Sequence, residues 1–279
     1  PVDRLLALLQ TPISWNGISH QFLKSSYTIP SSITLSAAGS GQSFRLTQYG
    51  NFTAEGGGSP LDAEDPSYLS GVVAFWQFNE TSGTTASDSV GSYSGTLVNM
   101  DGATDWVAGK SGNALDFDGT DDYVSTSGVP YAANLSAACW IRRDASDTNR
   151  PYVPFFGRWT FGFDSADSWT FGLNNGRLTI WGRNSGGTSV GVDGPSVLTV
   201  GTWYHCAYTY DGTTLRGYVN GVEVTNGALA GPLNAGSLQL TFGENGDAAK
   251  MFRGRIDNAR IWNRTLSATE IAELYADEL

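Results

Sequence analysis

The sequence predicts an all-β protein: an antiparallel sandwich or jelly roll with a short C-terminal helix, preceded by a small N-terminal arm of one helix and β-hairpins. From Gly71 onward, short runs of alternating apolar and polar residues are separated by turns of Gly, Asn and Asp. No helical pattern interrupts these runs, which is typical of sandwiches and jelly rolls. The chain also has 35 Gly and only 15% charged residues, a composition that suits strands and tight turns.

The N-terminal arm, residues 1–70, has its own pattern. Residues 1–10 carry an apolar stripe typical of a short helix, which Pro12 ends. The Asn-Gly pair within Ile13–His20 lies between alternating segments and predicts a hairpin. Two strand-like runs and a Gly-rich linker follow, at Ser32–Ala37, Ser43–Tyr49 and Glu55–Pro60. Because so little apolar material forms a marginal core at best, we expect the arm to pack on the main domain or on a partner protein.

In the main domain, residues 71–279, the turn sequences predict hairpins. Asp211-Gly212 and Asn220-Gly221 lie between alternating runs and supply residues that adopt a positive φ. The last element is a helix, because Ser267 and Glu270 have the spacing of a capping box and Ile271 begins an apolar face.

The charge of the chain and the length of its apolar runs exclude two classes of partner, nucleic acids and the membrane interior. The formal net charge is −11 and no cluster of Lys and Arg is present, so we expect no nucleic-acid binding. No apolar run approaches the roughly 20 residues that cross a bilayer, so we expect no membrane insertion. The apolar run Leu5–Leu9 is also too short for a secretory signal, although a cleaved leader would leave the same sequence.

The two cysteines leave two alternatives open. Cys139 and Cys206 both lie in apolar, strand-like runs. Two cysteines are too few for a disulfide framework, and buried thiols behave as small apolar side chains. The sequence is compatible with two buried thiols or with one disulfide.

Ordered motifs in the main domain carry a family resemblance. Residues 71–279 resemble the laminin-G-like jelly roll of the concanavalin A-like lectin/glucanase superfamily, in its bacterial and phage branch. The matching segments, in family order, are Val73–Glu80, Ser82–Asp88, Gly112–Gly119, Asp121–Val124, Trp203–His205, Thr209–Gly212, Tyr218–Gly221, Gly254–Asp257 and Arg260–Ser267. The resemblance implies a two-sheet antiparallel jelly-roll sandwich.

The resemblance also indicates which chemistry is missing. Glucanases of the superfamily carry paired carboxylates on one strand, in a pattern like Glu-x-Asp-x-x-Glu, and none of the eight Glu of this chain lies in such a pattern. Two histidines, His20 and His205, exclude a multi-histidine metal site. We interpret His205 as a structural, hydrogen-bonded histidine. We therefore predict a protein that is not an enzyme.

A structural Ca²⁺ ion is the one cofactor that we predict. The loop Asp116–Asp122 offers four carboxylates, and Ca²⁺ prefers six to eight oxygen ligands. Related jelly rolls often hold Ca²⁺ through the aspartate that corresponds to Asp257, with Asp88 as a second candidate. Asp118, Asp257 and Asp88 are therefore the candidate ligands. The alternative is that these aspartates cap turns through their own backbone.

A cluster of aromatic residues is the candidate ligand site. In the strand around Trp181, the period of two places Leu178 and Ile180 on one face and Trp181 on the other. Sugars stack on aromatic rings and hydrogen-bond to groups such as guanidinium. The candidate ligand-binding residues are Trp181, Arg183, Trp159, Trp169 and Tyr152. The alternative is that these rings only cover one another.

These observations predict a non-catalytic adhesion or decoration protein of a bacteriophage virion surface. Its laminin-G-like domain would bind a host-surface glycan or a protein, and residues 1–70 would dock on a virion or other assembly protein. Two alternatives stay open: an extracellular carbohydrate-binding accessory module of a larger secreted hydrolase, and a structural capsid cement without ligand. Assembly into a homo-oligomer also stays open.

Overall fold

The computed structural model describes residues 13–15, 18–20, 66–144, 151–160, 164–244 and 251–279. The chain divides into two compact units, Pro1–Pro66 with Glu278 and Ser67–Asp277 with Leu279. In the first unit, strands β1 (Ile13–Trp15) and β2 (Ile18–His20) pair antiparallel, with Trp15 opposite Ile18. The predicted hairpin is therefore confirmed, whereas the predicted N-terminal helix and later runs of the arm lie outside the described residues.

The second unit is a sandwich of two antiparallel sheets, which confirms the predicted fold class. Sheet I, within the described residues, has eight strands. In spatial order they are β13 (Ser189–Val197), β12 (Arg177–Arg183), β11 (Trp169–Asn174), β10 (Val153–Arg158), β17 (Leu240–Phe242), β8 (Tyr123–Thr126), β5 (Gly95–Val98) and β4 (Thr85–Ala86).

Sheet II forms the opposite layer. In spatial order its strands are β16 (Val222–Ala228), β15 (Thr214–Val219), β14 (Trp203–Tyr210), β9 (Leu135–Arg143), β18 (Arg253–Trp262), β7 (Asn113–Asp118) and β6 (Trp106–Ala108). Strand β3 (Val72–Trp76) pairs with the second half of β18. Consecutive strands in space are often far apart in sequence, as expected for a jelly roll.

Aromatic side chains from the two inner faces fill the core between the sheets. Phe156 lies at its centre, with ring centroids 4.9 Å from Phe242, 5.0 Å from Phe171 and 5.6 Å from Trp169. All four side chains are essentially fully buried. Most of these ring pairs meet edge to face, an arrangement that aromatic rings favour over a face-to-face sandwich.

Two of the tight turns have the backbone that their Asn-Gly sequences predict. Asn175-Gly176 and Asn220-Gly221 all have positive φ angles, of 50° and 77° and of 50° and 80°. This conformation matches the right-handed twist of the flanking strands. The Asn220-Gly221 turn brings Val219 opposite Val222, which starts the β15–β16 hairpin.

The C-terminal helix α1 (Ala268–Asp277) covers the outer face of sheet II. Its predicted capping box is present: Ser267 N donates to Glu270 Oε2 (2.8 Å), and Glu270 N donates to Ser267 Oγ (3.2 Å). Ile271 and Leu274 are buried against a second apolar cluster that includes Trp262. No helix among the described residues is long and apolar enough to span a membrane.

Candidate ligand-binding site

The outer face of sheet I carries the candidate ligand-binding residues. Along β12, Leu178 and Ile180 are buried in the core, whereas Trp181 and Arg183 are only half-buried. The alternation therefore places Trp181 and Arg183 together on the face that points away from sheet II.

Three aromatic side chains meet on this face and form what we call the aromatic cluster: Tyr152, Trp159 and Trp181. Trp181 is central, with its ring centroid 5.4 Å from Tyr152 and 5.8 Å from Trp159. The rings are inclined by 67° and 51°, so they do not form one flat surface. Tyr152 is 37% exposed and both Trp side chains are half-buried. The structure thus combines the two alternatives: the rings cover one another in part and still face outward.

A glycine decides where the Trp181 ring lies. The strand register places Gly191 of β13 directly opposite Trp181. A Cβ atom added to Gly191 would lie 2.2 Å from Cε2 of the indole. The ring therefore rests on the bare backbone of β13, where any other residue would displace it.

Tyr152 reaches the cluster through an unusual backbone conformation. It precedes β10 and has a φ of 58°, which is uncommon for a residue other than Gly, Asn or Asp. The pairing of β10 with β11 shifts its register between Pro154 and Phe156, as in a β-bulge. Both features change the direction of the chain at the start of β10, as bulges and strained residues often do at functional sites.

Arg183 supplies the charged group at this site. Its Cα lies about 7 Å from that of Trp181, on the same face of β12. Nη1 of Arg183 donates to Oγ of Ser189 (3.0 Å), and its backbone N donates to the carbonyl of Ser168 (2.7 Å). Arg183 forms no ion pair with any residue in the described part of the chain.

Trp169 does not belong to the site, and its prediction as a ligand-binding residue is wrong. It is 1% exposed and its ring stacks on Tyr208 at 5.5 Å in the core. The strand register explains the difference, because Trp169 lies opposite Gly182, whose place is on the inner face of β12. Parity along β11 therefore buries Trp169, whereas its neighbour Thr170 lies opposite Trp181.

Two of the candidate metal ligands cap turns instead of facing each other. The Asp88 carboxylate accepts hydrogen bonds from the backbone N–H groups of Phe75, Val90 and Tyr93, at 2.9 to 3.1 Å. Buried Asp257 accepts from the backbone N–H of Lys110 (2.8 Å) through Oδ2. The Asp88 bonds to Val90 and Tyr93 match the local turn-capping alternative that the sequence left open. Asp257 instead caps a turn that is distant in sequence.

Asp118 lies apart from Asp257 and has other acidic neighbours. Asp118 pairs with Arg253 on β18, so Asp257 lies four residues further along, about 13 Å away. At the end of β7 and in the loop that leads to β8, one carboxylate oxygen each of Asp118, Asp121 and Asp122 lie within 4.8 Å of one another. We call these three residues the acidic loop.

Asp122 is the buried member of the acidic loop. Its Oδ2 accepts a hydrogen bond from the backbone N–H of Asp118 (2.9 Å). Burial raises the pKa of the Asp122 carboxyl to about 6, and the negative charges of Asp118 and Asp121 add to this increase. A bound cation would relieve this cost, because it would compensate the buried charge.

His205 differs from its predicted role. Its ring is fully buried between Trp140 and Tyr275, with centroids 5.6 and 6.0 Å away. Neither ring nitrogen has a hydrogen-bond partner among the residues that the structure describes, so the hydrogen bond predicted for this histidine is not found there. Burial, together with the positive charge of Arg260, lowers the pKa of His205 to about 3.

Sequence reasoning missed one surface groove, of about 390 Å³, beside the start of helix α1. Its charged side chains pair with one another or with a neighbour: Arg216 with Asp211 (2.5 Å), and Glu270 with Arg264 (2.6 Å). These partners come from separate hairpin, loop and helix segments, so no local motif signals the groove. Because the charges are already paired, the aromatic cluster is the stronger candidate site.

Comparisons with known proteins agree with this fold. A laminin G family model, described as the concanavalin A-like lectin/glucanases superfamily, matches residues 118–272, more than half of the chain. No curated protein matches the sequence.

Solved structures also match. Domain 4 of AbnA, a GH43 extracellular arabinanase from Geobacillus stearothermophilus solved with arabinotriose, is 21% identical with a TM-score of 0.57, over 73% of this chain and 98% of that domain. The binding domain of Paraclostridial Mosquitocidal Protein 1 is 13% identical with a TM-score of 0.55, over 75% of this chain. The botulinum neurotoxin serotype D binding domain is 16% identical with a TM-score of 0.54, over 74% of this chain. This chain covers 53% and 52% of those two toxin domains, about half their length.

Proposed function

Because the chain belongs to the concanavalin A-like lectin/glucanases superfamily, we propose that its jelly roll is a non-catalytic module that binds glycans at the aromatic cluster. The observation that carries this proposal is the grouping of Tyr152, Trp159 and Trp181 on one half-exposed face, with Arg183 beside them. An aromatic surface with a few polar groups is the usual composition of a small-molecule site.

The chemistry of the cluster suits a sugar. Aromatic rings offer apolar faces to the C–H groups of a sugar ring, and a guanidinium donates several hydrogen bonds in a planar array. The Trp181 ring is held in place by the backbone of β13, so little side-chain entropy would be lost when a ligand binds. The position of Arg183 next to the rings would fix the orientation of a hydroxyl-rich ligand.

Titration with oligosaccharides tests the proposal, with arabinotriose as the first probe because the arabinanase domain was solved with it. We expect binding that quenches or shifts tryptophan fluorescence and that is at least 10-fold weaker in Trp181→Ala. The matched control is Tyr123→Ala, because Tyr123 is a half-buried aromatic residue of β8 in the same sheet, away from the cluster. Equal weakening in both variants, or no binding across a broad glycan panel, would contradict the proposal.

The non-catalytic part of the proposal rests on the carboxylates. Glu223, which lies in strand β16, forms an ion pair with Arg216 at 3.8 Å. Retaining glycosidases need two carboxyl groups about 5 Å apart. Incubation of the protein with each bound oligosaccharide should leave the sugar intact, and time-dependent appearance of shorter products would contradict this part.

We also propose that the acidic loop binds Ca²⁺ as a structural ion. The loop offers three carboxylates within reach of one cation, and Ca²⁺ accepts carboxylate and carbonyl oxygens in flexible arrangements. Asp88 and Asp257, whose carboxylates accept backbone hydrogen bonds elsewhere, are not part of this proposal.

Attachment through the N-terminal arm is a further part of the proposal. We infer from its sequence that residues 1–70 dock on an assembly, for which a bacteriophage virion is our first candidate, so that the jelly roll is displayed outside the cell or on a particle. Isolation of the protein from its source with its natural neighbours tests this. Recovery with a secreted hydrolase would favour the accessory-module alternative, and recovery on a capsid together with glycan-array silence would favour the cement.

A further inference from the structure

Two cysteines that are far apart in sequence face each other in the centre of sheet II. The register of β9 and β14 pairs Cys139 directly with Cys206. Residues directly opposite in antiparallel strands point to the same side of the sheet, and both cysteines are fully buried in the core between the sheets. Both are present as thiols in this structure.

Neighbouring hydrogen bonds reveal the type of pair that the two cysteines form. Asn220 N donates to the carbonyl of His205 (2.8 Å), so the peptide groups of His205 point towards β15. Because successive residues alternate, the peptide groups of Cys206 point towards β9. Gly201 N, just before β14, donates to the carbonyl of Arg143 (3.0 Å). The peptide groups of Cys139, four residues earlier on β9, therefore also point towards β14. Cys139 and Cys206 therefore form a hydrogen-bonded pair.

The geometry of such a pair permits a disulfide but strains it. The Cα atoms of a hydrogen-bonded pair are about 5.5 Å apart, within the 4.4–6.8 Å that disulfides span. The Cβ atoms of opposite residues are about 5 Å apart, whereas a disulfide draws them to about 3.8 Å. Closing the bond would narrow the sheet locally, and strained disulfides are easier to reduce than relaxed ones.

We propose that Cys139 and Cys206 form a reversible cross-strand disulfide when the chain folds in an oxidising compartment. The oxidant is a low-molecular-weight disulfide such as oxidised glutathione. One cysteine thiolate attacks this disulfide, forms a mixed disulfide and releases one reduced thiol. The second cysteine then attacks the cysteine sulfur of the mixed disulfide and releases the other thiol, so two protein thiols are oxidised and one disulfide is reduced to two thiols.

Burial determines when the two thiols can react. Exchange requires a thiolate, and burial raises the pKa of the Cys206 thiol far above its usual range. The exchange therefore takes place during folding or transient unfolding, before the core closes. Once formed, the bond is shielded by the same core.

The disulfide would close the segment that carries the proposed ligand site. The loop from Cys139 to Cys206 contains roughly 70 residues, including β10 to β13 and the aromatic cluster. A cross-link of this span stabilises mainly by restricting the unfolded chain. This inference does not depend on glycan binding, since it rests on the strand register alone.

The test is to fold the full chain with mixtures of oxidised and reduced glutathione, then denature it and alkylate it without reductant. We expect no alkylated cysteine after oxidising folding, two after folding with excess reductant, and both forms at intermediate ratios. The oxidised form should melt several degrees higher, up to about 10 °C if little strain offsets the loop closure. Two alkylated cysteines after oxidising folding, or cross-linking between chains, would overturn the proposal.

Single variants provide the control. Cys139→Ala and Cys206→Ala cannot close the bond. Each should therefore keep one alkylatable cysteine, and the melting temperature of this thiol form should not depend on the redox mixture. The wild-type result needs no variant, so it decides the question even if a variant fails to fold: the denatured, unalkylated chain should weigh two hydrogens less than the reduced chain, whereas a chain that carries glutathione would contradict the proposal. A melting temperature of the wild-type chain that rises with oxidant while both thiols stay alkylatable would also contradict the proposal.

Discussion

At the scale of single residues, a glycine shapes the proposed ligand site. The Trp181 ring occupies the space that a Cβ on Gly191 would need. No pattern in the sequence around Gly191 indicates this role, because the contact joins two strands. The ring position is therefore a consequence of pairing, and a substitution at Gly191 should act on Trp181.

We predict that Gly191→Ala displaces the Trp181 ring. The new Cβ would lie 2.2 Å from the indole, and such overpacking costs about 1–3 kcal/mol. Tryptophan fluorescence should change, and affinity for any ligand of the aromatic cluster should fall. Gly186→Ala is the matched control, since its Cβ would meet no atom closer than 3.4 Å. The same response in both variants would contradict the assigned role of Gly191.

His205 is a single residue that influences how the stability of the whole fold depends on pH. Its folded pKa of about 3 lies below the ordinary value of 6.5, chiefly because burial disfavours the charged ring. Below about pH 6.5 His205 is protonated in the unfolded chain, whereas in the folded chain it stays neutral down to about pH 3. This histidine therefore destabilises the fold progressively as the pH falls from about 6.5 to 3, with no further effect below that.

We predict that His205→Leu weakens the pH dependence of stability. The free energy of unfolding of the variant, relative to wild type, should increase by about 1.4 kcal/mol per pH unit as the pH falls through this window. Denaturant unfolding at several pH values measures it. The comparison with wild type is needed because Asp122, whose pKa is raised to about 6, affects the free energy of unfolding in the opposite direction: it stabilises the fold as the pH falls from about 6 to 4. A constant difference across pH would contradict the prediction.

At the scale of elements, the loop between β7 and β8 is the part that a metal would change most. Asp118, Asp121 and Asp122 approach one another there, and the pKa of Asp122 is raised by burial and by its acidic neighbours. The loop connects a strand of sheet II to a strand of sheet I, so an ion bound here would tie the two layers together.

We predict that Ca²⁺ raises the thermal midpoint of the wild-type protein. A free concentration 100 times the dissociation constant adds about 2.7 kcal/mol, or several degrees for a domain of this size. Asp121→Asn should remove most of this response, whereas Asp164→Asn, which changes an exposed aspartate outside the acidic loop, should keep it. An identical midpoint with Ca²⁺ and with chelator would rule out the ion.

At the scale of the whole molecule, the segment before β3 belongs with the helix that closes the chain. Tyr68 is buried, its carbonyl accepts a hydrogen bond from Nε1 of Trp262 (2.5 Å), and its hydroxyl donates to Asp277 (2.6 Å). The jelly roll thus includes residues 67–70 in its packing. The division into residues 1–70 and 71–279 is still a prediction, and a truncation series tests it.

We predict that a chain beginning at Ser67 folds and melts cooperatively, whereas one beginning at Val72 is less stable by about 3–5 kcal/mol. The shorter chain loses the buried Tyr68 ring and leaves the Trp262 N–H without its acceptor. Tyr68→Ala in the full chain separates the side chain from the backbone contact and should show only part of the loss. Equal midpoints for the two truncated chains would contradict the prediction.

Local chemistry explains why much of the fold was predictable. The Asn220-Gly221 turn, the capping box of Ser267 and Glu270, and the strand Trp203–Tyr210 all depend on residues within a few positions of one another. Such signals can be recognised without knowledge of the rest of the chain. The candidate site was predictable only in part, since Trp181, Trp159 and Tyr152 do meet, whereas Trp169 does not join them.

The sequence by itself determined the fold class, the tight turns and which residues of a strand share a face. Tertiary structure alone decided which face was covered, and therefore that Trp169 is core and Trp181 is surface. It also decided that Asp88 and Asp257 cap turns and that Cys139 lies opposite Cys206. The physical reason is that periodicity is a property of one strand, whereas burial and contact depend on the register between strands that are far apart in sequence.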